Sequence, residues 1–151
     1  MAFKGNFEKR SKEFEETVVE IKRVSKKTKG GNQISFTALM VVGDGKGKVG
    51  VGLGKSKNVP SAIKKGIDKA KKKMIMVKLK GRTIPRPIDY RKKSAHILLK
   101  PAREGSGLIA GGAIRVIASA AGIKDLVAKI IGTRNKAMNV WITWEALKDS
   151  P

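Results

Sequence analysis

Residues 43–54 constrain this chain more than any other stretch. Gly43-Asp44-Gly45-Lys46-Gly47-Lys48 is followed by Val49-Gly50-Val51-Gly52-Leu53-Gly54. Asp44-Gly45 is the strongest short hairpin signal a sequence can carry, because a type I′ turn needs positive φ at both central residues. The segment after it alternates apolar residues with glycine, which describes a strand with one apolar face and one bare face. A bare face lets another backbone come close. A helix follows, because Val59, Ala62, Ile63, Gly66, Ile67, Ala70 and Met74 recur at i, i+3, i+4, i+7 spacing. Asn58 is its expected N-cap and Pro60 lies in its first turn. Lys55 and Lys57 flank the helix start, where free N–H groups and the helix dipole already favour an anion. The stretch reads as a device for holding phosphate backbone, with the glycine face against RNA or another backbone.

Charge points the same way. The chain has 34 Lys and Arg against 12 Asp and Glu, a formal net charge of +22 in 151 residues. The imbalance is concentrated: Ile21 to Ile88 holds 19 basic residues and only two acids, Asp44 and Asp68. Such an excess opposes compaction and signals a polyanionic partner. Aromatic residues are only 5%, so base stacking is not expected as the main binding mode. Recognition of backbone and shape is expected instead.

Competing chemistry is weak. Gly45-Lys46-Gly47-Lys48-Val49-Gly50 fits G-x-G-x-x-G, but that fingerprint must open a helix, and here it joins two strands. Gly54-Lys55-Ser56 resembles the end of a phosphate-binding loop whose first glycine would fall at Val49. There is no cysteine, which removes disulfides, thiolate metal sites and cysteine nucleophiles. His96, the one histidine, is read as structural. Asp89, Glu104, Asp125, Glu145 and Asp149 are scattered, one per element, so no metal site, cofactor or catalytic residue is expected. No apolar run approaches the roughly 18 residues of a membrane span, and no signal-peptide core is seen. A soluble, cytoplasmic protein is expected.

Along the chain, residues 1–13 are expected to be a mobile tail. Phe14 to Val24 reads as a strand, Ser25 to Asn32 as a basic glycine-bearing loop, and Gln33 to Val42 as a second strand. The layout of residues 14–80 is β-β-β-α, much like a double-stranded RNA-binding domain, whose loop and helix N-terminus grip phosphates across grooves. Met74 to Lys80 suits a short strand. Residues 81–93, with Pro85 and Pro87, read as a linker. The remainder, residues 94–151, reads as a small β-α-β-α domain. Its strands are Ser94–Lys100 and Asp125–Ile131. A turn at Glu104–Gly107 leads to a helix over Ala113–Ala121 that is apolar nearly all round. In the last helix, Trp141 and Trp144 are expected to serve core or interface rather than stacking. The fold class is α+β in two small domains.

Several long motifs carry a resemblance. Arg23-Val24-Ser25-Lys26, Lys29-Gly30-Gly31, Ser35-Phe36-Thr37-Ala38, Val41 to Gly45, Val49 to Lys55, Val59 to Ile63, and Lys100 to Ala102 with Gly107 to Ala113 are similar to the bacterial small-subunit ribosomal protein five family, over about Phe14 to Lys148. The resemblance implies an N-terminal RNA-binding domain and a C-terminal domain with a left-handed crossover. It further implies a place at the back of the small subunit, bridging head and body. The implied partners are small-subunit ribosomal RNA, ribosomal proteins four and eight, and protein three beside the mRNA entry channel. It puts Ser25–Gly31 near the spectinomycin site. It puts Glu104, Gly105, Gly107 and Arg115 at the contact with protein four that governs decoding accuracy.

The expected function is a structural rRNA-binding protein. A free-standing double-stranded-RNA-binding regulator is the alternative, and an enzyme would rest on fold analogy alone. The RNA-binding residues expected are Arg23, Ser25, Lys26, Lys27, Thr28, Lys29, Gly30, Gly31, Lys46, Lys48, Gly50, Gly52, Gly54, Lys55, Lys57, Lys64, Arg82 and Arg86.

Overall fold

The computed structural model describes residues 14–149, so the tail expected at residues 1–13 lies outside the described residues. Strands β1 (Glu15–Thr28), β2 (Gly31–Gly43) and β3 (Lys48–Ser56) form an antiparallel sheet, with the two-residue β4 (Ile75–Met76) on the edge of β3. Helix α1 (Val59–Lys72) packs on one face. A second sheet, ordered β5-β6-β8-β7, comprises β5 (Ile88–Lys92), β6 (Ala95–Pro101), β7 (Leu108–Ile109) and β8 (Leu126–Ile130). Helix α2 (Gly112–Ala121) joins the parallel pair β7 and β8, and α3 (Lys136–Asp149) ends the chain's described part. The α+β class and the β-β-β-α order of the first half are as expected.

The glycine face has a definite occupant. A Cβ on Gly50 would lie 2.2 Å from Ala70 O, on Gly52 2.2 Å from Gly66 O, and on Gly54 2.0 Å from Ala62 O. Helix α1 therefore lies directly on the β3 backbone, and its own contact residues, Ala62, Gly66 and Ala70, are small and buried. Of the two occupants expected, another backbone is the one found. Gly50, Gly52 and Gly54 are buried under α1 and are not available to RNA, which corrects their assignment to the RNA-binding set.

The opposite face holds the second half of the chain. Leu39, Val41, Val49 and Val51 share one buried cluster with Ile97, Leu99, Ile114, Ile117, Val140 and Trp144. Each large apolar side chain buried there contributes roughly 1.5–3 kcal/mol. Both halves thus close over a common core.

The 44–47 hairpin is an interlock between them, and its turn differs from the type I′ expected. Asp44 does not adopt positive φ; Gly45 and Gly47 do, at 72° and 107°. The Asp44 carboxylate accepts from Lys46 N at 2.7 Å and Lys48 N at 3.0 Å, so a side chain supplies the bonds that a tight turn would have made. The wider loop turns its N–H groups outward. Gly45 N donates to Ala120 O at 3.0 Å and Gly47 N to Ala121 O at 2.8 Å. The last carbonyls of a helix lack partners within it, and here the first half caps α2 of the second. Gly122 ends α2 with φ of 87°, and a Cβ there would lie 2.1 Å from Gly45 O. Trp144 Nε1 adds a bond to Val49 O at 3.2 Å.

Two boundaries shift. β1 runs to Thr28 rather than stopping at Val24, so most of the expected basic loop is paired strand. The closing turn is only Lys29-Gly30, with Gly31 at φ 125°. β5 lies inside the stretch read as linker, because Ile88 and Tyr90 alternate inward beneath their charged neighbours Asp89 and Arg91. Of that stretch, residues 81–87 precede β5.

Candidate nucleic-acid interface

β3 ends opposite Phe36, where Ser56 pairs with it. Beyond that point β1 and β2 continue alone, from Val24 opposite Ser35 to Thr28 opposite Gly31. At about 3.3 Å per residue these five pairs project some 15 Å past the body. The ribbon carries little core: every residue from Ile21 to Ile34 is exposed. Its stability is local, in the ladder and in the Thr28 hydroxyl, which donates to Gly31 O at 2.8 Å.

Side chains alternate across the ribbon. Arg23 stands opposite Phe36 and Lys27 opposite Asn32, on the α1 face; Lys26 and Thr28 face the other way. Lys29 occupies the tip with Gly30, and a Cβ on Gly30 or Gly31 would meet nothing within 4 Å. No acid lies between Glu20 and Asp44. Among the described residues none of Arg23, Lys26, Lys27 and Lys29 makes a salt bridge. A two-stranded arm with cations on both faces and at its tip suits insertion between phosphate strands better than a flat contact.

The base of the ribbon meets the start of α1. Asn58 Oδ1 accepts from Ser61 N at 3.0 Å, the expected N-cap, with Pro60 in the first turn. Lys55, Lys57 and Lys64 are exposed around this helix end. Lys65, missing from the expected set, belongs with them: its ammonium reaches Lys55 O at 3.4 Å. Its signal was present in the sequence, since it shares the polar arc of α1 with Lys64.

The remaining expected residues fall elsewhere. Lys46 and Lys48 are exposed, but at the other end of β2, about 40 Å from the ribbon tip along the strand. Arg86 is exposed in the connection. Arg82 is committed to protein: its Nε lies 3.0 Å from Asp125 Oδ2 and its Nη1 3.6 Å from Glu104 Oε1. It serves as a clasp here, because Asp125 is fully buried and a buried carboxylate needs a partner, while part of the Arg82 side chain stays exposed. Arg82 O also accepts from Lys124 N and Asp125 N. The other Asp125 oxygen accepts from Gly107 N at 2.9 Å. The Glu104–Gly107 turn is thereby tied to the connection, with Glu104 and Gly105 exposed and Gly105 and Gly107 at φ 88° and 73°. Arg115, exposed on α2, donates to Leu108 O at 3.0 Å. Asp125 escaped the sequence reading, where it stood only as one of several scattered acids.

Three long strands and a short edge strand backed by one helix, with a cationic arm beside the helix N-terminus, define a class of RNA-binding protein. Comparison with known proteins narrows this. Residues 14–78 match the family model described as Ribosomal protein S5, N-terminal domain, and residues 90–150 match Ribosomal protein S5, C-terminal domain. The small ribosomal subunit protein uS5 of Campylobacter jejuni subsp. jejuni serotype O:23/36 (strain 81-176) is 51% identical over 135 residues, covering 89% of this chain and 92% of that protein. Proteins of the same name from C. jejuni serotype O:6 and strain RM1221 match to the same extent. The chain belongs to the bacterial ribosomal protein S5 (uS5) family of the small subunit, as its motifs suggested. It is an RNA-binding ribosomal protein of a structural family, not an enzymatic one.

Proposed function

We propose that this chain holds the ribosomal RNA of the small-subunit head through its β1–β2 ribbon and the N-terminal end of α1, while its second half docks on neighbouring ribosomal proteins. The observation that carries this is the division of its surface: lysines on a projecting arm at one end that have no acidic partner among the described residues, and a clasped, glycine-bearing turn in the second half. The shared core would make the chain a rigid spacer between head and body. Proteins four and eight are the neighbours proposed, with the Glu104–Gly107 turn and Arg115 facing protein four and supporting decoding accuracy. Protein three and the mRNA entry channel lie close by in this reading, and the ribosome-bound protein is cytoplasmic. A free-standing regulator has no evident use for the rigid second half.

The test uses small subunits reconstituted with the full chain. Changing Lys26, Lys27 and Lys29 together to Gln should reduce the slope of log affinity against log salt by about two to three, as three phosphate contacts are lost. Chemical protection of head RNA should weaken, and spectinomycin sensitivity should change. An unaltered salt slope with unaltered protection refutes the assignment.

A further inference from the structure

Trp141 and Trp144 are the chain's only tryptophans, and they line one cleft of about 540 Å³ between the C-terminal end of α1 and helix α3. Trp144 is explained by the fold: it is 8% exposed and bonded to Val49 O. Trp141 is half-buried and edge-to-face with Trp144, the ring centroids 6.0 Å apart and the planes at 89°. Its ring is thus braced by a pinned neighbour while part of it opens to the cleft. Two ammonium groups stand at this mouth. Lys73 Nζ lies 5.7 Å from the Trp141 ring centre and Lys148 Nζ lies 5.3 Å from that of Trp144. Glu145, the one carboxylate on the rim among the described residues, is engaged by Lys92 at 2.8 Å. Lys72 extends the positive charge along α1, while Lys71 is paired with Glu16 at 3.5 Å.

We propose that the cleft takes one unpaired RNA base, stacked on Trp141, with Lys73 and Lys148 holding the phosphates that flank it. A braced aromatic ring beside two mobile cations matches a nucleotide, which joins a planar π-face to negative charge. A paired base cannot enter, because its faces are already stacked. An acidic peptide supplies the charge without the plane. Lys73 is exposed and long, so it can leave the ring for a phosphate without disturbing the fold. The site lies about 20 Å from the first turn of α1, one helix length. This inference extends the RNA-holding role proposed above to a second contact of a different kind.

The two tryptophans make the test direct. The full chain is titrated with two RNA hairpins that differ only in one bulged adenosine, and affinity and tryptophan emission are followed. The bulged RNA should bind roughly five- to a hundredfold more tightly and quench emission, while the paired hairpin binds without quenching. Trp141→Leu should abolish the preference and leave affinity for the paired hairpin unchanged. Trp141→Phe, a smaller platform, should keep part of the preference, which guards against a fold effect. Equal affinities without quenching, a preference that survives Trp141→Leu, or quenching by a glutamate-rich peptide but by neither RNA would each overturn the proposal. Quenching by the bulged RNA with no binding of the paired hairpin would leave the base site standing and remove the duplex grip instead.

Discussion

Single residues in this chain are decided by what lies against them. Gly52 has the sequence environment of a strand, where valine ordinarily improves stability. Yet a Cβ there would sit 2.2 Å from Gly66 O and 2.5 Å from Ala70 N. Gly52→Val should therefore lower stability in urea unfolding by at least the roughly 1–3 kcal/mol of ordinary overpacking, since helix backbone yields less readily than a side chain. RNA affinity of the folded fraction should stay unchanged; a neutral melting temperature would mean that α1 does not lie on β3. Asp125 is the second such residue. Asp125→Ala removes the acceptor of Gly107 N–H and the partner of Arg82, and should cost about 1–3 kcal/mol. Because Arg82 is itself 46% exposed, it can rehydrate, which keeps the cost below that of breaking a fully buried pair. Proton exchange at the Gly107 amide should quicken with it.

Among the elements, periodicity served the sequence reading well and loop chemistry served it less well. α1 announced its apolar arc, its Asn58 cap and its place after a glycine strand, and it stands at Val59–Lys72. The same glycines showed that something must lie close, but pattern alone did not separate an RNA strand from the chain's own helix. Lysine and glycine dominate the stretch after Val24 and suggest a loop, whereas cross-strand pairing carries β1 on to Thr28. β5 was hidden by the charges that decorate its outer face. An arm that holds no core can be altered at little expense: Lys29→Gln, which keeps the two-residue turn, should leave the melting temperature near that of the parent while head-RNA protection falls. Asn58→Ala, by contrast, should cost α1 about 1 kcal/mol, measurable by denaturant unfolding. Helix α3 is strapped to β5 by Tyr90 Oη donating to Asp149 at 3.0 Å and by Lys92 pairing with Glu145. The bond to Asp149 raises the Tyr90 pKa above its usual 10.0, and the bond to Glu145 raises that of Lys92 above 10.5. A raised pKa contributes stability that is intact below the unfolded value and lost as pH climbs through the folded one. Unfolding midpoints should therefore drop above about pH 10, and the Tyr90→Phe, Glu145→Gln double variant should drop less.

At the scale of the whole molecule the two family domains are one body, joined by a common core and by an α2 end that is capped from the other half. Calorimetry of the full chain should accordingly give one transition, with calorimetric and van't Hoff enthalpies equal; two resolved transitions would show that the seam is weaker than its buried Leu39, Val41, Val49 and Val51 imply. The interlock also has a consequence in time. A ribosome makes this chain from its N-terminus at roughly 5–20 residues per second. The apolar underside of the first sheet thus exists for something like 5–20 seconds before Val140, Trp144 and Leu147 are made to cover it. During that interval a nascent chain already rich in lysine exposes both a sticky face and a cationic arm. Ribosome-bound chains halted before Val140 should therefore aggregate more readily on release than the full chain, which sedimentation of the released chains would check.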